Sequence, residues 1–206
     1  MPEIPPRQVR ADFDETSLTV YQAYSPAIAE PALAAGRFVP PFKPDRMTWI
    51  KPSFLWMMYR CGWATKPGQE RVLAVRLSRS GFDSALAASY LSHFDRKVHA
   101  SQEEWAAGVR RTSVRVQWDP ERSLRLERLD HRSIQIGLSG PAVHSYVNEW
   151  IVGLTDVTDL AGRIHAAVRA GELEAAQAMV PGERPYPLPP EAVAAVSASA
   201  GPSESR

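Results

Sequence analysis

Cysteine is nearly missing from this sequence. Its single copy, Cys61, can form no internal disulfide, a usage that suits a reducing cytoplasm. An excess of either charge is missing too, since 24 Lys and Arg stand against 23 Asp and Glu for a net charge of +1. Such a chain has no overall field to recruit nucleic acid or membrane, so a polyanion must be met by a local patch. No window approaches the roughly 20 apolar residues of a membrane span, and the first residues lack the apolar run of a signal peptide. G-x-G-x-x-G, the Walker loop, H-E-x-x-H, a C-x-x-C pair and internal repeats are all absent, which removes the usual marks of several common enzyme classes. These absences predict a soluble cytoplasmic protein. The 206 residues suit one domain, expected over 1–184. After Pro181 the chain turns to Pro, Ala, Ser and Gly without periodicity, which predicts a disordered tail over 185–206.

What is present in abundance is a mixture of rings and cations between Phe38 and Ala64. Three of the six tryptophans fall there, with Lys43, Arg46, Lys51 and Arg60 against Asp45 as the one acid. The segment Met47–Lys51 alternates like a strand and puts Met47, Trp49 and Lys51 on one face, so a cation and an indole share a surface. Pro52 holds Lys51 extended and suits the first turn of a helix, and Leu55, Met58 and Tyr59 follow at helical spacing. The reading is strand, sharp corner, helix. At that corner the unsatisfied N–H groups beside Lys51 and Ser53 form a favourable anion site, with aromatic faces nearby to stack a planar base. Leu55, Trp56 and Met58 also fit a plain core role. Lys51 either snorkels to water or contacts a ligand.

Earlier in the chain, Arg7–Asp12 alternates as a short strand or arm that sets Arg10 opposite Val9 and Ala11. Ser17–Tyr24 is rich in β-formers and puts Leu18, Val20, Gln22 and Tyr24 on one face. A Gln on such a face is hydrogen-bonded in the core or lines a pocket. Ser25 and Pro26 open a helix that Gly36 stops, with Pro31 expected to kink or delay it. Residues 70–79 form a strong strand ended by Gly81, and a helix follows with Asp83 or Ser84 as cap. His93 and His99 flank a polar connection whose spacing is no metal pattern, so a surface loop is expected.

A second informative segment is Ser113–Asp130. Alternation sets Val114, Val116 and Trp118 against Arg115, Gln117 and Asp119, and Pro120 is expected to close the strand. Gln117, Asp119 and Glu121 then gather at its end, where carboxylates can accept a bond from a sugar hydroxyl or act as a general base. The plainer reading is a turn with a surface ion pair. Residues 131–140 read as another strand, and three helices follow up to about Val180.

Arg7–Asp14, Val20–Tyr24, Arg46–Ala64 and Val114–Arg122 together resemble the family known as domain of unknown function 4291, over roughly residues 7–180. In order and spacing they are also similar to the ADP-ribosyltransferase fold, in which a short strand carrying Arg or His precedes a helix ending in Gly, aromatics cradle NAD and a Glu lies late in the sheet. Gln22 stands at the Arg or His position, and Asp119 stands where the arginine-modifying branch of that group has the Glu of Gln-x-Glu. These readings predict an α+β fold, a curved mixed sheet with packed helices, and one cleft between the 47–53 corner and the 117–121 strand end. The resemblance implies a nucleotide-binding enzyme that uses NAD. Arg10, Gln22, Tyr24, Lys43, Arg46, Trp49, Lys51 and Ser53 would hold the cofactor, and Gln117, Asp119 or Glu121 would act at the ribose. The competing expectations are a non-catalytic RNA- or single-strand-binding module using the same cations and rings, and a transferase with Lys51 as nucleophile.

Overall fold

The computed structural model of the protein describes residues 4–199. The chain opens with a two-residue strand, β1 (Arg10–Ala11), and the eight-residue β2 (Ser17–Tyr24), followed by helix α1 (Pro26–Ala35). Pro31 sits inside α1 without interrupting it, and Gly36 ends the helix in the left-handed conformation that glycine adopts without penalty. After the proline-rich loop come β3 (Thr48–Ile50), α2 (Phe54–Cys61), β4 (Arg71–Ser78) and α3 (Arg79–Ala87). Helix α3 starts earlier than expected, because the Ser78 hydroxyl accepts the Gly81 N–H; Gly81 therefore lies within the helix rather than ending the strand.

The short β5 (Tyr90–Leu91) leads to α4 (Gln102–Arg111), an element the sequence reading passed over. Its signal was there: Ser101 caps the Glu104 N–H, and the Glu104 carboxylate reaches back to the Ala100 N–H, a variant of the Ser-x-x-Glu capping box. His99 is buried rather than in a surface loop, tilted against the rings of Tyr90 and Phe94. Strand β6 (Val114–Arg122) runs through Pro120, and pairing continues past a register shift between Pro120 and Arg122, so the proline bends the strand without closing it. Strand β7 (Arg128–Leu138), α5 (Pro141–Ser145), a π-helical turn (Tyr146–Trp150), β8 (Ile151–Asp156), α6 (Thr158–Ala170), α7 (Leu173–Met179), β9 (Arg184–Pro185) and α8 (Pro190–Val196) complete the chain.

The fold is α+β, as expected, with its main sheet in two halves. One half has the order β2-β4-β8, all antiparallel; the other has the order β3-β7-β6-β5, with β5 parallel to β6. The halves touch where Lys51 bridges Tyr21, through a Tyr21 N–H to Lys51 carbonyl bond of 2.7 Å. Apart from that bridge β2 and β3 share no ladder, and the hollows described below lie beside this unpaired seam. The larger core includes Val20, Val75, Val116, Ile136 and Phe82, while a second core packs α2 against α6 and α7 through Phe54, Met57, Met58, Ile164 and Ala176. Trp56 and Met58 are buried, in keeping with their core reading. Among the described residues no helix is long and apolar enough to cross a membrane.

The expected disorder from residue 185 is corrected over 185–199. Arg184–Pro185 pairs with β1, Tyr186 is buried against Phe13 and Phe82, and the Trp118 indole N–H donates to the Val196 carbonyl at 2.7 Å. A low-periodicity stretch folds here because Tyr186, Ala192 and Val196 complete a core the rest of the chain leaves open. Residues 200–206 of the expected tail lie outside the described residues.

Candidate anion-binding hollow

Two adjoining hollows, of about 280 and 350 Å³, flank the gap between β2 and β3 and share Tyr24, Met47 and Thr48 as a common wall. Lys43, Arg46 and Phe42 line the first; Gln22, Trp49, Lys51 and Arg60 line the second. Four cations thus line this space, and among the described residues no Asp or Glu does. Lys43 and Arg46 are exposed and take part in none of the ion pairs among the described residues. Arg60 donates to the Gln69 side-chain oxygen at 3.2 Å.

Gln22 is the strut of this region. Its amide nitrogen donates towards the Thr48 hydroxyl (2.7 Å), the Tyr24 hydroxyl (2.9 Å) and the Trp49 carbonyl (3.2 Å), while its oxygen accepts from the Tyr146 hydroxyl at 2.6 Å. Both alternatives read from sequence therefore hold, since the residue is hydrogen-bonded in the core and also lines a hollow. Its polar atoms are engaged with protein, so it positions the wall rather than presenting a group to a ligand. Tyr24 is held the same way, its hydroxyl pushed up to about 12 by burial and its ring edge-on to Phe38 and Phe42.

Trp49 lies flat against a glycine. A side chain at Gly137 would meet the indole at 2.9 Å, so Gly137 is what lets the ring lie down on the sheet and line the hollow. Gly137→Ala is expected to displace Trp49 and to lower the stability by about 1–3 kcal/mol; a thermal midpoint and tryptophan emission maximum both unchanged from wild type would refute this packing.

Lys51 is 6 % exposed. Its ammonium nitrogen donates to the Trp49 carbonyl at 3.0 Å, lies 5.5 Å from the centre of the Trp56 ring, and has no carboxylate of the described residues within ion-pair distance. Burial, reinforced by the Arg60 charge and opposed by Asp119, pushes it down to about 7. Sheet register puts Trp49, Gly137 and Arg115 on one face, and continues that face through Gln135, Gln117 and Asp119. Asp119 is clamped there by the side-chain amides of Gln117 (2.9 Å) and Gln135 (2.6 Å).

The single cleft expected from sequence is instead divided in two. Glu121, Ser53 and Arg10 line a separate hollow of about 210 Å³ with Arg122, His131 and Glu183, away from Lys43, Arg46 and Trp49. The anion site expected at the start of α2 is already filled: the Ser53 hydroxyl accepts the Trp56 N–H, and the Glu183 carboxylate accepts the Phe54 N–H at 2.8 Å. The start of the helix needs an acceptor for its free N–H groups, and the C-terminal segment supplies a carboxyl oxygen. Arg10 donates to the Glu183 carbonyl and to Gln8. Burial and the neighbouring Glu121 push Glu183 up to about 8, and Glu121 is raised by its own burial. Sequence reasoning missed Glu183, which lies in a Pro- and Gly-rich stretch with no periodic signal. Cys61 is fully buried with its thiol pushed up, which leaves it a poor nucleophile. Among the described residues no group of three or more His, Cys, Asp or Glu could hold a metal ion.

An α+β protein with a cation-lined hollow at the seam of two half-sheets is the class these features define. The family described as Domain of unknown function (DUF4291) matches residues 8–186, and the chain belongs to it. Among curated proteins none matches the chain.

Proposed function

We propose that this chain is a nucleotide-binding enzyme whose ligand, NAD for preference, lies in the paired hollow beside β3. The observation that carries the reading is the lining: among the described residues, four cations and no carboxylate, next to the rings of Tyr24, Phe42 and Trp49. A polyanion with a flat base matches that wall, because phosphate gains charge-assisted bonds from Lys43, Arg46 and Arg60 and a base can stack on Trp49. Each hollow is near the lower end of the roughly 300–1,000 Å³ typical of small-molecule sites, and the shared wall lets a two-part ligand extend across both. On this reading Asp119, which lies outside the lining of both hollows on the sheet face that carries Trp49 and has its oxygens held by Gln117 and Gln135, acts through its charge alone, steadying a cationic sugar centre. The likeness to ADP-ribosyltransferases in the order of motifs favours a glycosyl-transfer reaction. Glu121, in the other hollow, takes no part.

Calorimetric titration with NAD, ATP and ADP-ribose tests the reading. Binding is expected for at least one, weakened about 10–100-fold in the double variant Lys43→Ala, Arg46→Ala, as the loss of charge-assisted phosphate contacts implies. Absence of binding by all three at millimolar concentration removes the proposal. If short RNA binds instead, with affinity falling steeply as salt rises and indifferent to Asp119→Asn, the hollow is a single-strand-binding surface and not an enzyme site.

A further inference from the structure

We propose that the Lys51 amine is a covalent attachment point for a phosphorylated reducing sugar, capturing its carbonyl carbon as an imine. The proposal shares the phosphate-holding wall with the nucleotide reading and adds to it a reaction and a substrate class.

Three features of the geometry converge on it. Lys51 lines the 350 Å³ hollow although the residue as a whole is only 6 % exposed, so what surface it has is turned to that space. Its one protein hydrogen bond is donated to the Trp49 carbonyl, and an amine that only donates keeps its lone pair for an incoming carbon. The groups that bear on it are Arg60 and Cys61 from α2 and Asp119 from β6, with the Trp56 ring alongside. None of them is an ion-pair partner that would hold the amine charged, and burial favours the neutral form near pH 7. Arg60 on the same wall, and Lys43 and Arg46 across the shared Tyr24–Met47–Thr48 edge, supply the complement for a phosphate.

The step balances without an oxidant, reductant or metal. The nitrogen lone pair attacks the aldehyde carbon of the open-chain sugar, a C–N bond forms, and the carbonyl electron pair moves to oxygen, which takes a proton. Loss of water then breaks the C–O bond and leaves a C=N bond to Lys51.

Full-length protein incubated with ribose 5-phosphate and cyanoborohydride, which reduces an imine to a stable amine, provides the test. The chain has four lysines, Lys43, Lys51, Lys66 and Lys97, so peptide mapping assigns the adduct directly. Modification is expected at Lys51 roughly tenfold faster than at the other three, to be slowed by inorganic phosphate, and to fall by a similar factor when ribose replaces ribose 5-phosphate. Its rate should rise through about pH 7 and then level off, whereas ordinary lysines keep gaining rate towards about pH 10. Equal labelling of all four lysines, or an unmodified Lys51, overturns the proposal on the wild-type chain itself, with no dependence on whether a variant folds. If NAD binds but Lys51 stays unmodified, only this inference fails; if Lys51 is modified and no nucleotide binds, the nucleotide reading fails and the sugar phosphate is the ligand.

Discussion

Gln22→Ala is expected to cost about 3–5 kcal/mol of stability, measured by urea denaturation. The change removes buried methylenes and strands the fully buried Tyr146 hydroxyl, which loses its acceptor, while the Trp49 carbonyl and the Thr48 hydroxyl each lose a donor and keep Lys51 and Tyr24 as remaining partners. Each orphaned buried group costs about 1–3 kcal/mol, and the side-chain void adds to that. Because Gln22 lies on β2 and Thr48 and Trp49 on β3, the same change loosens the junction between the half-sheets. Tyr146→Phe, which deletes one bond of the set, should cost less, and the two substitutions together should cost less than the sum of their separate effects. A loss under about 1 kcal/mol for Gln22→Ala would mean that the strut does not exist.

The second large effect is a pH-dependent stabilisation. Glu183 is ordinarily near 4.5 and is pushed up to about 8 in the folded protein, first by burial and then by the Glu121 charge. Between those two values the folded chain holds a proton that the unfolded chain releases, so stability falls as pH rises from about 4.5 to about 8 and changes no further above it. Glu183→Gln carries no charge at any pH and keeps an oxygen to accept the Phe54 N–H. The variant should therefore match wild type near pH 5 and exceed it by on the order of 3 kcal/mol or more at pH 8.5. Lys51 titrates in both proteins and drops out of the comparison. Denaturation curves at the two pH values decide the matter, and a gap that does not widen with pH would be falsifying.

Much of the site was legible because its signals are local. Alternation through Met47–Lys51 and the break at Pro52 are properties of neighbouring residues, and the structure follows them as strand, corner and helix, with Pro52 just ahead of the Ser53 cap rather than in the helix's first turn. The same holds for β2, for the helix closed by Gly36 and for the inward face of Val114, Val116 and Trp118. What went unread depends on residues far apart along the chain. Tyr146 is 124 positions from the Gln22 it binds, and Glu183 is 129 positions from the Phe54 amide it caps, so neither pairing leaves a mark on local composition. The C-terminal segment looked unstructured for the same reason, since its order comes from a surface built by β1, α3 and β6.

By itself the sequence determined that rings and cations share one face at a strand–helix corner, because side-chain direction along a strand follows from its period alone. Only the tertiary structure decided which carboxylates come near them. Among the described residues the half-sheets pair only through the Tyr21–Lys51 bridge, the register shift after Pro120 accompanies a Glu121 that lines a hollow of which Asp119 is no part, and Glu183 arrives from the far end of the chain to take the helix terminus. Distances across a fold are set by how its elements pack, and that information is distributed over the whole chain.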